Sequence, residues 1–135
     1  MTQKKLISRL LENHKGWVVG SLGSISKVLP DAPNVVKVKG SMGLAISIGL
    51  GMALATQGNI KVIIGDGSYL MKLGSMATVL AHKPKNLEII VLDNGKYASC
   101  GGQKTNFKYI NKYLRFPMVK VIKVWKYLPV NQIEK

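Results

Sequence analysis

The sequence predicts an α/β domain with a mainly parallel sheet and helices on both faces. Two apolar runs, at residues 62–64 and 87–92, have the length of buried strands, and one helix-sized segment separates them. A crossover of this kind returns the chain parallel to itself and is right-handed in nearly all proteins. We therefore expect both strands to end side by side at the same edge of the sheet.

Hydrophobic spacing predicts the elements that precede this unit. Residues 4–13 carry aliphatic side chains at helical spacing, which predicts an amphipathic helix. Residues 17–19 predict a short buried strand, and residues 35–38 predict a second one. Between them, residues 21–26 form a loop that passes into a short helix, which stops before Pro30.

The helix expected after Gly40 contains Gly43, Gly49 and Gly51. Each glycine in a helix interior costs about 1 kcal/mol relative to alanine. Close approach of another helix or of a cofactor across this small-residue face would offset that cost.

The residues after Gly67 favour a helix in the crossover. Asp66-Gly67 is also a strong hairpin signal, yet the residues that follow do not alternate between polar and apolar. Four of them instead follow a helical stripe: Leu70, Leu73, Ala77 and Leu80.

The last part of the chain adds one more strand. Beyond Thr105, residues 107–114 predict a helix, residues 118–124 a strand, and residues 125–135 the start of a further helix. With 135 residues and no internal repeat, the chain is expected to be a single domain, residues 1–135.

Oxygen-bearing side chains follow the two strands of the βαβ unit. Asp66 and Asn94 stand at the two strand ends, and Mg²⁺ prefers oxygen ligands and takes only a few of them from protein. Gly65 and Gly67 let the backbone approach a ligand closely and permit positive φ. Ser68 can cap the helix that opens near Tyr69 or donate its hydroxyl to a phosphate. The pattern predicts a divalent-cation and phosphate site.

These residues resemble the signature of thiamine diphosphate enzymes. In that family, Gly-Asp-Gly and an Asn a little under thirty residues later mark the domain that holds the diphosphate and Mg²⁺. The chain resembles the diphosphate-binding half of sulfopyruvate and phosphonopyruvate decarboxylases, from about Trp17 to Thr105 and more loosely to Trp125. The flanking residues that extend the match are Gly40-Ser41-Met42-Gly43, residues 48–55, Asp93, Tyr97 and Gly101-Gly102-Gln103.

The resemblance implies a role for each part of the motif. Gly40 would offer a backbone carbonyl to the cofactor's amino group, and Met42 would prop the cofactor in its bent shape. Asp66 and Asn94 would bind Mg²⁺ through their side chains, and Lys96 only through its backbone carbonyl. The cofactor-binding residues expected are Gly40, Ser41, Met42, Gly65, Asp66, Gly67, Ser68, Asn94, Lys96 and Tyr97.

The loop at residues 97–105 would lie above the reactive ring of the cofactor. Ser99, Cys100 and Gln103 are candidates for substrate contact, with a simple polar loop as the alternative. Asp93 is expected to be a structural carboxylate at the strand end.

A glutamate that activates the cofactor belongs, in this family, to a separate pyrimidine-binding domain. Nothing in the chain resembles that domain, and Glu12, Glu88 and Glu134 are poorly placed to replace it. The resemblance therefore implies a C-terminally shortened β-type subunit, inactive alone, that forms a hetero-oligomer with a pyrimidine-binding α-type subunit. No catalytic residue is assigned within the chain itself.

Several functions remain open at this point. Decarboxylation of a small anionic 2-oxoacid is favoured, with sulfopyruvate first and phosphonopyruvate second. The β subunit of 2-oxoacid:ferredoxin oxidoreductases shares a Gly-Gly-Gln element, but those subunits often carry cysteines for an iron–sulfur cluster and this chain has one cysteine. A truncated, non-catalytic cofactor-binding subunit is the further alternative.

Charge and composition exclude other classes. The formal net charge is +14, but only Arg9 and Arg115 of the 20 basic residues are arginine, and the lysines are scattered rather than clustered. Since base recognition favours the arginine fork, nucleic-acid binding is not expected. A positive field would instead attract an anionic cofactor and substrate.

The chain is expected to work in the cytoplasm. The single Cys100 excludes an internal disulfide framework, and the charged N-terminus lacks the apolar core of a signal peptide. The longest run of low polarity, residues 42–55, is shorter than the roughly twenty residues that span a bilayer, so no membrane association is expected.

Overall fold

The structure, a computed structural model, describes residues 1–124. Within these residues, five strands form one sheet, accompanied by six helices and a 3₁₀ turn. The strands are β1 (Gly16–Gly20), β2 (Val35–Lys37), β3 (Asn59–Gly65), β4 (Leu87–Asp93) and β5 (Val119–Lys123). The helices are α1 (Gln3–Leu11), α2 (Ser24–Val28), α3 (Leu44–Ala55), α4 (Asp66–Met71), α5 (Ser75–His82) and α6 (Phe107–Ile110), followed by the 3₁₀ turn Asn111–Tyr113.

The sheet is parallel throughout, in the order β2-β1-β3-β4-β5. The chain leaves β1 toward β2 on one side and then crosses back to β3 on the other side. Such a reversal opens a crevice between the carboxyl ends of the two strands, and open α/β sheets bind their ligands there. The topology therefore predicts a ligand site at the carboxyl ends of β1 and β3.

Helices cover both faces of the sheet, as the sequence predicts. On one face, Val62 and Ile64 of β3 pack in a core cluster with Ile46 and Leu50 of α3. On the other face, Ile63 joins a second cluster that includes side chains of α1 and α2. Successive residues of a strand point to opposite faces, so β3 contributes to both cores. The predicted α/β class with a mainly parallel sheet is confirmed.

The glycines around α3 differ in their roles. Gly43 lies before the helix, as its N-cap, with φ +91°. Gly49 is buried, and a Cβ built there would lie 2.3 Å from Cγ2 of Val62. A Cβ on Gly51 would meet nothing within 4 Å. The expected close packing therefore holds at Gly49, against strand β3, and also at Gly43, where a Cβ would lie 2.6 Å from Cβ of Lys72 and 2.7 Å from the carbonyl oxygen of Ser68 in α4.

The crossover between β3 and β4 is two helices, so the prediction of one helix was wrong. Helix α4 ends at Met71, Lys72 leaves helical geometry with φ −126° and ψ 38°, and Gly74 is the N-cap of α5. Glycine has a low helix propensity, and the break shifts the phase of the buried stripe. The buried side chains of the apolar stripe in these helices are Tyr69, Met76 and Val79, whereas Ala77 is exposed.

The remaining elements follow the sequence closely. The predicted strands at residues 17–19, 35–38 and 118–124 appear as β1, β2 and β5 within one or two residues. The helix expected at residues 125–135 lies outside the described residues. No helix among residues 1–124 is both long and apolar enough to cross a membrane.

Candidate functional site

Asp66 and Asn94 converge at the carboxyl edge of the sheet. Gly65 at the end of β3 pairs in register with Leu92 of β4, so the residues that follow the two strands are neighbours. The backbone N–H of Asn94 donates to Oδ1 of Asp66 at 3.4 Å. The convergence that the sequence predicts is present in the structure.

The carboxylate of Asp66 is removed from solvent. The residue is 1 % exposed, and the hydroxyl of Thr105 donates to its Oδ2 at 2.5 Å. Burial raises the pKa of Asp66, while the hydrogen bonds from Thr105 and Asn94 act in the opposite direction and the nearby charge of Asp93 raises the pKa further. Burial disfavours the charged form of the carboxyl group. A cation beside Asp66 would stabilise that charged form.

Two tight turns shape the chain after β4. Asp93 accepts a hydrogen bond from the N–H of Gly95 at 3.0 Å, and Oδ1 of Asn94 accepts one from the N–H of Lys96 at 3.0 Å. Asn and Asp side chains often make such bonds to the backbone two residues on. An amide oxygen has two lone pairs, so Asn94 retains acceptor capacity for a cation.

A shallow cavity of about 50 Å³ lies next to these residues. Most of the cofactor-binding residues predicted from the sequence line it: Met42, Gly65, Asp66, Gly67, Ser68, Asn94, Lys96 and Tyr97. Gly40 and Ser41 do not line it, and both are exposed in the turn before α3. The structure thus assembles the motif from three separate stretches of chain but leaves the first two motif residues outside the cavity.

Two local expectations were wrong. Helix α4 begins at Asp66 with Gly65 as its N-cap and has no side-chain cap, so Ser68 does not cap it. Neither Gly65 nor Gly67 has positive φ. What distinguishes the two glycines is the room around them. A Cβ on Gly65 would meet nothing within 4 Å, whereas one on Gly67 would overlap the ring of Tyr97.

The segment after β1 was not predicted to belong to the site. Ser21, Leu22, Ser24 and Ile25 line the cavity. Ser21 is 2 % exposed and its hydroxyl has no hydrogen-bond partner in the structure, although its backbone N–H donates to the carbonyl of Ile63 at 2.9 Å. A buried polar group without a partner costs about 1–3 kcal/mol, so this hydroxyl is a candidate ligand contact.

Of the three loop residues that were candidates for substrate contact, only Ser99 lies at the cavity. Ala98 and Ser99 line the cavity, whereas Cys100 and Gln103 are exposed and do not. Gln103 instead accepts a hydrogen bond at its backbone carbonyl from the N–H of Tyr97, at 2.8 Å.

The sequence from residue 22 to residue 128 matches the family model described as thiamine pyrophosphate enzyme, C-terminal TPP binding domain. The chain belongs to this family. Thiamine pyrophosphate (TPP) is another name for thiamine diphosphate, so the resemblance drawn from the motif is confirmed. The match begins just after β1 and therefore includes the motif residues and most of the cavity wall.

The relatives of this TPP-enzyme chain include decarboxylases. It is 43% identical over 106 residues to the protein named sulfopyruvate decarboxylase subunit beta of Methanocaldococcus jannaschii, covering 75% of this chain and 56% of the relative. It is 46% identical over 91 residues to the protein of the same name in Methanothermobacter thermautotrophicus, covering 65% and 49%. It is 47% identical over 91 residues to the phosphonopyruvate decarboxylase of Streptomyces hygroscopicus, covering 65% and 23%.

The chain thus spans about half the length of the two β subunits and about a quarter of the phosphonopyruvate decarboxylase. The residues of its cavity fit the family's cofactor. Asp66 and Asn94 offer oxygens to a cation, Ser21 offers an unpartnered hydroxyl, and Gly65 leaves open space where a side chain would stand.

Proposed function

We propose that this chain is the TPP- and Mg²⁺-binding subunit of a 2-oxoacid decarboxylase of the sulfopyruvate type. The single observation that carries the proposal is the buried carboxylate of Asp66, which lies beside Asn94 at the crevice between β1 and β3. The names of the relatives supply the reaction class.

The chain's own residues would bind and orient the cofactor. The carboxylate of Asp66, the amide oxygen of Asn94 and the backbone carbonyl of Lys96 would hold Mg²⁺, whose other ligands would come from phosphate and water. The hydroxyl of Ser21 would donate to the diphosphate. When bound, TPP supplies the electron sink for loss of CO₂ from a 2-oxoacid.

We infer that a second subunit completes the site. Ligand pockets usually enclose about 300–1,000 Å³, and the cavity of about 50 Å³ is too shallow to enclose a cofactor. Neither Glu12, at the C-terminal end of α1, nor Glu88, near the start of β4, lines the cavity. An α-type subunit with a pyrimidine-binding domain would supply the opposite wall and the glutamate that activates the cofactor.

The substrate class follows from charge and from the relatives. A chain of formal charge +14 favours anionic ligands, and sulfonate and phosphonate analogues of pyruvate are both anionic. Sulfopyruvate is the first candidate because the named β subunits are separate chains that this one matches over the larger share of their length. Phosphonopyruvate is the second candidate because relatives with that name are equally similar in sequence.

A pull-down followed by an assay tests the proposal. The tagged chain would be isolated from native cells, the bound subunit identified, and CO₂ release measured with TPP, Mg²⁺ and either sulfopyruvate or phosphonopyruvate. We expect a partner with a pyrimidine-binding domain and turnover of one of the two acids. A complex that binds TPP but turns over no 2-oxoacid would favour the non-catalytic alternative instead.

A further inference from the structure

The loop that follows Asn94 is closed on itself by backbone hydrogen bonds. The N–H of Thr105 donates to the carbonyl of Gly95 at 3.0 Å, and the N–H of Tyr97 donates to the carbonyl of Gln103 at 2.8 Å. Residues 95–105 therefore form a short hairpin whose two ends lie together at the carboxyl edge of the sheet. We call this segment the 95–105 hairpin.

Both ends of the hairpin are attached to the carboxylate of Asp66. At the first end, the N–H of Asn94, the residue just before the hairpin, donates to Oδ1 at 3.4 Å. At the second end, the hydroxyl of Thr105 donates to Oδ2 at 2.5 Å. The two oxygens of one buried side chain thus hold the two ends of a loop that lines the cavity.

Thr105 is itself held firmly. It is 6 % exposed, and its Oγ1 accepts a hydrogen bond from the N–H of Phe107 at 3.4 Å while donating to Asp66. Phe107 is 1 % exposed and packs edge-on against the ring of Tyr69, with centroids 6.0 Å apart. The donor of Thr105 therefore points at Oδ2 from a fixed support.

We propose that Thr105 is a positioning residue for the metal-binding carboxylate and couples cation binding at Asp66 to the order of the 95–105 hairpin. By engaging Oδ2 with the shorter of the two hydrogen bonds, Thr105 fixes the plane of the carboxylate and leaves Oδ1, which also accepts the longer bond from Asn94, with a lone pair for a cation. Hydrogen-bond partners of this kind orient metal-ligating carboxylates, and their loss weakens metal binding. The proposal rests on the proposed function, since it takes Asp66 as a metal ligand.

Three variants of the full-length chain, studied with the subunit that co-purifies with it, test the proposal. Thr105→Val removes the hydroxyl and keeps the shape, Thr105→Ser keeps the hydroxyl, and Thr78→Val makes the same change at an exposed position on α5. Calorimetric titration with Mg²⁺ in the presence of TPP measures the cation affinity. We expect Thr105→Val to weaken it by about 10–100-fold, Thr105→Ser to restore most of it, and Thr78→Val to leave it unchanged.

The same titration of Asp66→Ala distinguishes a failure of the proposed function from a failure of the role proposed for Thr105. If Asp66→Ala leaves Mg²⁺ affinity unchanged, the proposed function fails. If Asp66→Ala abolishes it while Thr105→Val has no effect, or Thr105→Ser is as weak as Thr105→Val, only the role of Thr105 is overturned.

A fluorophore on Cys100, the only cysteine and an exposed residue of the hairpin, gives a readout that does not depend on a Thr105 variant folding. Mg²⁺ with TPP should raise the anisotropy of the label in the parent chain, because the cation would fix the first end of the hairpin while Thr105 holds the second. Anisotropy that stays constant through saturation overturns the coupling.

Discussion

The ring of Tyr97 lies so close to Gly67 that a Cβ on residue 67 would come within 2.6 Å of Cδ1 and 2.7 Å of Cε1. The second glycine of the Gly-Asp-Gly motif is therefore needed for the hairpin to close against α4, in addition to any contact that it makes with the cofactor. Crowding of this kind typically costs about 1–3 kcal/mol, and it would force the side chain of Tyr97 to move.

We predict that Gly67→Ala weakens TPP binding by displacing Tyr97. Because about 1.4 kcal/mol corresponds to a tenfold change, a cost of about 1–3 kcal/mol corresponds to a loss of roughly 5- to 150-fold. Calorimetry with Mg²⁺ and the partner subunit measures it. Gly74→Ala is the matched control, since a Cβ at that position of the same crossover meets nothing within 4 Å. Equal affinity in the two variants would mean that Tyr97 does not shape the site.

Two glycines of α3 should respond to alanine in opposite ways. Gly49→Ala places a Cβ 2.3 Å from Cγ2 of the buried Val62, and overpacking of a core typically costs about 1–3 kcal/mol. Gly51→Ala meets open space in the same helix and should stabilise it by roughly 0.5–1 kcal/mol. Thermal melts of the two variants should therefore shift in opposite directions. Stabilisation by Gly49→Ala would show that α3 can move away from the sheet at little cost.

The fold could be predicted from the sequence because its signals are local. Residues 62–64 and 87–92 are continuous apolar runs, and runs of this kind mark strands that are buried on both faces. Asp66 and Asn94 come directly after them, so the parallel crossover alone brings them together. The stripe in the crossover was misplaced because the helix breaks between Lys72 and Gly74, which shifts the phase of the residues that follow.

The contribution of Ser21 and of Thr105 could not be predicted in this way. Ser21 lines the cavity because β1 lies next to β3, and the order of strands in the sheet cannot be predicted from local hydrophobic spacing. Thr105 reaches Asp66 across 39 positions of sequence because the hairpin folds back on itself. Both contacts depend on pairing between distant segments, and neither has a periodicity that would reveal it.

Glu88 should make stability depend on pH. Although its partial burial raises the pKa of this carboxyl, a hydrogen bond from Lys120 and the charges of Lys61 and Lys120 lower it, and the net pKa lies below the ordinary value of 4.5. Since the unfolded chain binds the proton more tightly than the folded chain, this stabilisation is present above pH 4.5 and is lost as pH falls through the lowered pKa. Denaturant melts between pH 3 and pH 7 should show a smaller acid destabilisation for Glu88→Gln than for the parent. Identical pH profiles would contradict this assignment.

Asp66→Ala should abolish Mg²⁺-dependent binding of TPP. The change removes the one buried carboxylate that lines the cavity, and no other acidic side chain among its lining residues could replace it. Glu88→Ala is the control, because this carboxylate pairs with Lys61 and Lys120 near the opposite edge of the sheet and should leave binding nearly intact. Calorimetry in the presence of the partner subunit compares the two, and TPP binding by Asp66→Ala at parental strength would remove Asp66 from the site.

The chain alone should release no CO₂ from any 2-oxoacid, even with TPP and Mg²⁺. Under the proposed function, a glutamate of the partner subunit activates the cofactor, and the glutamates of the described residues, Glu12 and Glu88, do not line the cavity. Adding the pyrimidine-binding subunit should create activity that saturates with the ratio of the two chains, because each site would need one wall from each subunit. A coupled assay for CO₂ across such a titration measures this, with Asp66→Ala as the inactive reference. Turnover by the purified single chain above that reference would refute the shared site and would require a proton acceptor within this chain.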